Sequence, residues 1–164
     1  MKTLMLLRHA KSSWDDSSLP DAERPLNERG MRDAPSVGNW IYKQKLKRPD
    51  ALVCSPAVRT RQTMKLIVQA AGVQCPARLD ERIYQASVAS LLEVIADAPE
   101  ACETLMLIGH NPGLEELLAY LTKEHRPMPT AALAIIELEA KTWRDVEAKA
   151  NRLAHFIKPR DLED

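Results

Sequence analysis

The chain is organised around residues 4–14, LMLLRHAKSSW. Its apolar start, Leu4 to Leu7, has the length of a buried strand rather than that of a helix. Arg8 and His9 follow at once, so a central strand is predicted to carry both side chains to the carboxyl edge of a sheet. Open α/β sheets bind their ligands at that edge. Taken alone, the stretch is equally compatible with a strand that ends at Arg8 and a plain loop at His9.

A second strand–turn–helix unit begins at residues 51–54, ALVC. Ser55 suits a helix N-cap and Pro56 the first helical position, so a helix is predicted to start there. Gly72 is its predicted C-cap. Arg59 then lies in the first helical turn, on the same edge of the sheet as the end of strand one if the two strands are parallel.

A third unit begins at residues 104–109, TLMLIG, which is the clearest buried strand in the chain. His110 follows it directly. Asn111 is a predicted N-cap and Pro112 a predicted first helical residue, and apolar residues then repeat at helical spacing. Three successive turns therefore carry basic or titratable side chains.

The other segments alternate between strand and helix patterns, which indicates an α/β fold. We predict a three-layer sandwich, a mostly parallel central sheet flanked by helices, as a single domain over residues 1–164. The remaining predicted elements are a helix whose pattern runs from Asn27 to about Ile41, a short strand or extended segment at 77–79, a helix at 88–95, a strand at 133–138, a short helix or wide turn at 143–150, an edge strand at 153–157 and a frayed tail at 160–164. Pro35 lies inside the first of these helices, so it either belongs to the first turns, which would move the start, or kinks the helix.

The polar segment Asp15–Pro25 has two interpretations. Its composition favours a solvated connection, whereas its position directly after Arg8 and His9 favours a flap beside the site.

Charge, cysteines and hydropathy exclude several classes of protein. The 23 basic and 23 acidic residues balance, so global charge does not predict nucleic-acid binding. Cys54, Cys75 and Cys102 are odd in number and lack metal-site spacing, so we expect buried thiols, with no disulfide and no zinc. The apolar run before Arg8 is too short for a signal peptide or a membrane span, so we expect a cytoplasmic protein that does not bind membranes.

The three turns together carry Arg8, His9, Arg59, His110 and Asn111. Guanidinium groups suit phosphate oxygens, and the helix after Asn111 would add N-terminal amide groups. Nearby arginines oppose protonation of a histidine, and a carbonyl on its second ring nitrogen would fix the tautomer, so one histidine could attack phosphorus. The other, if protonated, would stabilise the phosphoryl oxygens. These residues predict a phosphate site that needs neither metal nor cofactor.

Four motifs resemble the histidine phosphatase superfamily, which has the phosphoglycerate mutase-like fold. They are LLRHA at 6–10, RPLNERG at 24–30, SPAVRTRQT at 55–63 and GHN at 109–111. The short chain and the RHAKSSW opening are similar to the small SixA-type branch, the phosphohistidine phosphatases. The resemblance covers about residues 3–138 and implies this fold without a large cap.

The resemblance also implies the roles of the site residues. His9 would be the nucleophile that becomes phosphorylated, and water would then hydrolyse the phosphohistidine. Arg8, Arg59 and His110 would complete the phosphate pocket, and the backbone amide of Asn111 could add a donor. Phosphate or sulfate would bind in this pocket.

Two positions depart from the superfamily pattern. Ala10 replaces the usual glycine after Arg-His, and its methyl group could narrow the approach to the site. Members that act on phosphate esters use an acidic proton donor near a Leu-x-Glu-Arg segment, and Glu81 fits that pattern moderately. The alternatives are Asp80 as a weaker donor, or Glu81 as a surface carboxylate paired with Arg82.

A weak or absent acid would favour phosphohistidine substrates, because an alkoxide leaving group needs a proton more than imidazole does. We therefore predict a metal-independent phosphatase that acts on phosphohistidine in a partner protein. The alternatives are a phosphatase of small phosphate esters, and a phosphate- or partner-binding module without turnover.

Overall fold

The computed structural model describes residues 1–163 and is built on a six-stranded sheet with the order β3-β2-β4-β1-β5-β6. The first four strands of that order are parallel to one another. At one edge β5 pairs antiparallel with β1, and β6 pairs antiparallel with β5. The predicted, mostly parallel sheet is confirmed. The strands are β1 (Lys2–Arg8), β2 (Ala51–Cys54), β3 (Ala77–Leu79), β4 (Thr104–Gly109), β5 (Leu133–Leu138) and β6 (Arg152–Ile157).

Four α-helices form a layer on each face of the sheet, which confirms the three-layer α/β architecture. They are α1 (Glu28–Lys43), α2 (Val58–Ala71), α3 (Val88–Ala96) and α4 (Gly113–Thr122), and short 3-10 helices lie at Asp21–Glu23, Glu81–Ile83, Trp143–Asp145 and Pro159–Leu162. Helices α1 and α2 pack together on one face, and α3 and α4 pack on the other.

Strand β1 is apolar without alternation because it is buried on both faces. Leu4 and Leu6 belong to the core beneath α3 and α4, whereas Met5 and Leu7 belong to the core beneath α1 and α2. All four are at most 1 % exposed. Burial of each such side chain contributes about 1.5–3 kcal/mol, so this strand is a firmly anchored support for Arg8 and His9.

The predicted N-caps of α2 and α4 are wrong. Helix α2 begins after Ala57, and α4 begins after Pro112, and neither helix has a side-chain cap. Ser55 and Asn111 instead make the contacts described below. The predicted C-cap is confirmed, because Gly72 adopts the left-handed conformation with φ 68° and donates its N–H to Val68.

Helix α1 begins at Glu28 with Asn27 as its N-cap, and its first turn packs against the turn after β1. The Asn27 side chain accepts a hydrogen bond from the Gly30 amide at 2.9 Å. A Cβ atom at Gly30 would lie 2.2 Å from the Lys11 carbonyl oxygen, so only glycine permits this approach. Pro35 lies inside the helix.

The C-terminal segment differs from the predicted frayed tail. Residues Pro159–Leu162 form a 3-10 helix that contacts α1, with Pro159 buried; residue 164 lies outside the described residues. Among the cysteines, Cys54 and Cys102 are buried free thiols, whereas Cys75 is only half-buried. No helix within residues 1–163 is long and apolar enough to span a membrane.

Candidate active site

A cavity of about 710 Å³ opens at the carboxyl ends of β1 and β4. Its floor is formed by four of the five predicted pocket residues, and the fifth, Asn111, lies at its side. We call Arg8, His9, Arg59 and His110 the floor. The cavity is lined by Arg8, His9, Lys11, Ser12, Trp14, Asp21, Arg24, Arg59, Tyr84, Gln85, Ala86, Ser87, His110, Asn111, Pro112, Glu116 and Thr130.

His9 is held as a neutral imidazole with a defined tautomer. Its Nδ1 atom lies 2.7 Å from the Ala10 carbonyl oxygen, which can only accept a hydrogen bond, so Nδ1 carries the proton and Nε2 keeps its lone pair. Burial, together with smaller contributions from the charges of His110, Arg59 and Arg8, lowers the pKa of His9 to about 3. A neutral nitrogen is the form that can attack phosphorus.

His110 lies beside His9, with 5.2 Å between the ring centroids. Its Nε2 atom is 2.7 Å from Ser55 Oγ, and its Nδ1 atom is 3.5 Å from an Arg59 nitrogen, so Nε2–H donates and Nδ1 accepts. Burial and then Arg59 lower the pKa of His110 to about 4. Both histidines are therefore neutral at pH 7 in this structure, and a protonated His110 requires an anion beside it.

Arg59 joins the floor to the loop in front of it. The side chain is 6 % exposed, and it donates to the Asp21 backbone oxygen at 2.7 Å and to Asp21 Oδ2 at 2.9 Å. Its Nε atom is buried and has no hydrogen-bond partner within the described chain. An unpaired buried donor is costly, and a bound phosphoryl oxygen is the kind of acceptor that would satisfy it.

Arg8 also keeps a buried Nε without a partner among residues 1–163, while its Nη1 donates to the Met128 carbonyl at 2.9 Å. The Asn111 amide donates to the same carbonyl at 2.9 Å and to Glu115 Oε1 at 2.8 Å. Asn111 therefore ties the start of α4 to the loop at Met128 rather than capping the helix.

Ala10 does not narrow the site. The residue is completely buried in the core beneath α1 and α2 and does not line the cavity. Its backbone N–H donates to Thr63 Oγ1 at 3.0 Å. The methyl group therefore fills core volume, and the prediction of steric interference is wrong.

Neither predicted acid reaches the cavity lining. Glu81 is exposed at the start of its 3-10 helix, and Arg82 pairs with Asp80 and Asp97 instead of Glu81. Asp80 is held by Arg78 at 2.6 Å and by Arg82 at 2.7 Å, and the Arg82 hydrogen bonds keep the pKa of Asp80 well below its usual range. It acts as a structural anion, and the structure gives Glu81 no contact with the floor.

Asp21 and Tyr84 face the floor across the cavity, and we call these two residues the wall. The sequence analysis did not single them out. Asp21 accepts hydrogen bonds from the Tyr84 hydroxyl, Arg59 and Arg24, and Tyr84 first and then Arg59 hold the pKa of Asp21 well below its usual range. The Tyr84 ring packs edge-on to His110, with 5.3 Å between centroids. The sequence signal for this wall was the position of the Asp15–Pro25 segment, and the structure places Asp21 and Arg24 of that segment in the cavity lining.

Arg24 and Trp14 complete the rim. Arg24 is buried and donates to Ser12 Oγ at 2.9 Å, and its guanidinium carbon lies 3.6 Å from the Trp14 ring centroid. Trp14 is 71 % exposed, so one face of its indole is fixed and the rest is open to solvent.

The arrangement suits a phosphoryl group. Two buried guanidiniums with unsatisfied donors stand beside a neutral imidazole whose free nitrogen can attack, and a second imidazole can take up a proton when an anion arrives. Within residues 1–163 no cluster of three or more His, Cys, Asp or Glu residues is placed to hold a metal ion.

Comparisons with known proteins agree with this geometry. The model of the histidine phosphatase superfamily (branch 1) matches residues 4–106. The uncharacterised protein Rv1276c of Mycobacterium tuberculosis is 33 % identical, with 94 % of this chain and 100 % of that protein aligned. Phosphohistidine phosphatase SixA of Escherichia coli is 25 % identical over 83 % of this chain and 85 % of its own length. The structure of a candidate SixA phosphatase from Nakamurella multipartitia superposes with a TM-score of 0.84, at 27 % identity and 96 % coverage of both chains.

Proposed function

The chain belongs to the histidine phosphatase superfamily, and we propose that it is a metal-independent phosphatase that removes phosphate from phosphohistidine in a partner protein through a phosphorylated His9. The observation that carries this proposal is the state of His9. Its Nδ1 proton is committed to Ala10 and its pKa is lowered to about 3, so Nε2 is free to attack at physiological pH.

In the first step the phosphoryl oxygens bind Arg8 and Arg59, whose buried Nε atoms gain acceptors. His9 Nε2 forms a bond to phosphorus as the bond from phosphorus to the substrate nitrogen breaks. The electron pair of the breaking bond stays on the departing imidazole. The doubly charged phosphoryl group raises the pKa of nearby His110, which can then hold a proton and stabilise the transferring group.

In the second step water attacks phosphorus on the opposite side from His9. The phosphorus–nitrogen bond breaks, its electron pair returns to Nε2, and inorganic phosphate leaves with the oxygen of that water. The attacking water keeps one proton as a hydroxyl of the product and passes the other to a phosphoryl oxygen, while His110, held at Nε2 by Ser55 at 2.7 Å, stabilises the charge on the group.

The acids of the cavity favour a phosphorus–nitrogen substrate. Among the described lining residues the carboxylates are Asp21 and Glu116, and Asp21 is ionised by its contacts with Tyr84 and Arg59. Glu116 is exposed in the first turn of α4. A phosphohistidine that is protonated on its second ring nitrogen leaves as neutral imidazole and needs no proton at the breaking bond, whereas an alkoxide does.

The open rim favours a side chain presented by a protein. The four α-helices of the described chain are stacked on the sheet, and the rim consists mainly of the loops around Trp14, Gln85 and Thr130. A histidine on another protein's surface can therefore reach the floor.

The test compares phosphate release from a histidine-phosphorylated protein domain, phosphoramidate and para-nitrophenyl phosphate, with and without chelator. We expect chelator-resistant release that is faster with the two phosphorus–nitrogen substrates and that is lost in His9→Ala. The matched control is His125→Ala, because His125 is exposed and lies outside the cavity. Loss of activity on addition of chelator, or faster turnover of the ester, would contradict the proposal.

A further inference from the structure

A second cavity of about 790 Å³ adjoins the active site, and we call it the basic groove. It shares two lining residues with the active-site cavity, Arg8 and Thr130, so the two cavities lie side by side. The basic groove is lined by Arg8, Arg29, Glu115, Arg126, Pro127, Met128, Pro129, Thr130, Phe156, Lys158, Pro159, Arg160 and Asp161.

The basic groove concentrates positive charge in a chain whose net charge is zero. Five of its lining side chains are cationic and two are carboxylates. Both carboxylates already accept backbone hydrogen bonds, Glu115 from the Met128 amide at 2.7 Å and Asp161 from the Lys158 amide at 3.0 Å. The cations therefore dominate the potential that an approaching molecule meets.

Several of these cations are available to a ligand. Lys158 and Arg160 form no ion pair within the described chain, and Arg160 is exposed. Arg29 and Arg126 pair with Asp33 and Glu124, but their side chains are 61 % and 48 % exposed, and such surface pairs are weak.

The walls of the basic groove are held by prolines and by packing. Pro127 and Pro129 restrict one wall, and the Arg126 guanidinium lies 5.2 Å from the Phe156 ring centroid. The opposite wall is the 3-10 helix Pro159–Leu162, which is packed against α1. A preformed surface loses little conformational entropy when it binds.

We propose that the basic groove binds acidic residues around the phosphohistidine of the substrate protein and so directs that histidine to His9. This proposal rests on the proposed function. The groove is much larger than a phosphate ion, and its five cations come from four separate parts of the chain, so the positive charge is spread along it. A row of carboxylates on a protein surface fits that distribution better than a single second phosphate.

The experiment uses two phosphohistidine peptides, one with glutamates and one with glutamines around the phosphorylated residue, and phosphoramidate as a third substrate. We expect the wild type to have a roughly tenfold lower KM for the glutamate peptide at low salt, with the preference shrinking as ionic strength rises. The double variant Lys158→Glu/Arg160→Glu should lose the preference while turning over phosphoramidate as before.

The matched control is Lys141→Glu/Arg144→Glu, which changes net charge equally on exposed residues around the 3-10 helix Trp143–Asp145. This control should keep the preference. Lys158→Gln/Arg160→Gln is the second test variant in case the charge reversal does not fold, and it should reduce the preference about threefold.

Three outcomes would overturn the inference: a wild type without preference between the peptides, equal loss in test and control variants, or equal slowing of the glutamate peptide and phosphoramidate. If the wild type hydrolyses neither phosphoramidate nor either peptide, the proposed function itself is wrong. Turnover of phosphoramidate without a peptide preference refutes only the role of the groove.

Discussion

The floor of the active site and its wall are built in different ways. Arg8 ends β1, His9 follows it directly and His110 follows β4, so their positions are set by strands that are buried on both faces. The wall residue Asp21 begins one short 3-10 helix and Tyr84 follows another, both in connections outside the sheet, and their positions depend on contacts with Arg59 and with each other. The comparison shows that the reactive groups lie on the most stable framework, whereas the groups that orient them come from its connections.

The largest expected effect is on the floor. His9→Asn removes the attacking nitrogen but keeps a polar side chain of similar width, and it should lower kcat by about 10⁴-fold or more. Phosphate binding through Arg8 and Arg59 should persist. Steady-state kinetics and phosphate titration check both expectations, and residual turnover within tenfold of the wild type would show that another residue attacks phosphorus.

Arg59→Lys tests the residue on which floor and wall meet. Lysine keeps the charge, but its single nitrogen cannot bind Asp21 and a phosphoryl oxygen in the planar geometry of a guanidinium. We therefore expect kcat/KM to fall about 10²-fold. Arg61→Lys, two residues along α2 and bonded to the Pro56 carbonyl through Nε, is the matched control. Equal values of kcat/KM in the two variants would show that Arg59 does not bind the phosphoryl group.

The neutral histidines of the floor predict how stability depends on pH. Their pKa values fall from 6.5 to about 3 for His9 and about 4 for His110, so below pH 6.5 the unfolded chain binds protons that the folded chain does not. The free energy of unfolding should therefore decrease by about 2 kcal/mol for each histidine between pH 7 and pH 5. Urea unfolding of the wild type and of the double variant His9→Asn/His110→Asn at pH 7 and pH 5 measures this decrease. An equal decrease in the free energy of unfolding in the two proteins would contradict the prediction.

The smallest expected effect is on the wall. Asp21→Asn keeps the shape and weakens the contact with Arg59, so kcat/KM should fall about tenfold, by the same factor for phosphoramidate and for para-nitrophenyl phosphate. Equal factors mean that Asp21 only positions Arg59. A much larger loss with the ester would show that the wall supplies a proton, and it would remove the argument for a phosphorus–nitrogen substrate.

The predictions from sequence succeeded where a pattern is local. Buried strands are continuous apolar runs, and the residues at their carboxyl ends lie at the edge of the sheet, so Arg8, His9 and His110 could be placed there. Arg59 could be placed beside them because the next helix begins close to the end of β2. Ser55 was predicted as a helix cap, whereas it holds His110, because a serine after a strand satisfies either role.

The wall could not be predicted for a physical reason. Asp21 and Tyr84 are 63 positions apart and meet only after the sheet and α2 are in place. Glu81 was the predicted proton donor because residues 79–82 resemble the Leu-x-Glu-Arg segment of the superfamily. Its exposure and its distance from the cavity lining depend on how the 3-10 helix packs, which no local pattern reports.

The most direct test of the central claim is to trap the covalent intermediate. Wild-type protein is mixed with phosphoramidate, quenched within milliseconds in alkali, digested and analysed by mass spectrometry for phosphorylated peptides. The account predicts an acid-labile phosphate on His9, formed as fast as turnover requires and lost as inorganic phosphate appears. Turnover without phosphate on His9, or phosphate on His110 instead, would contradict it.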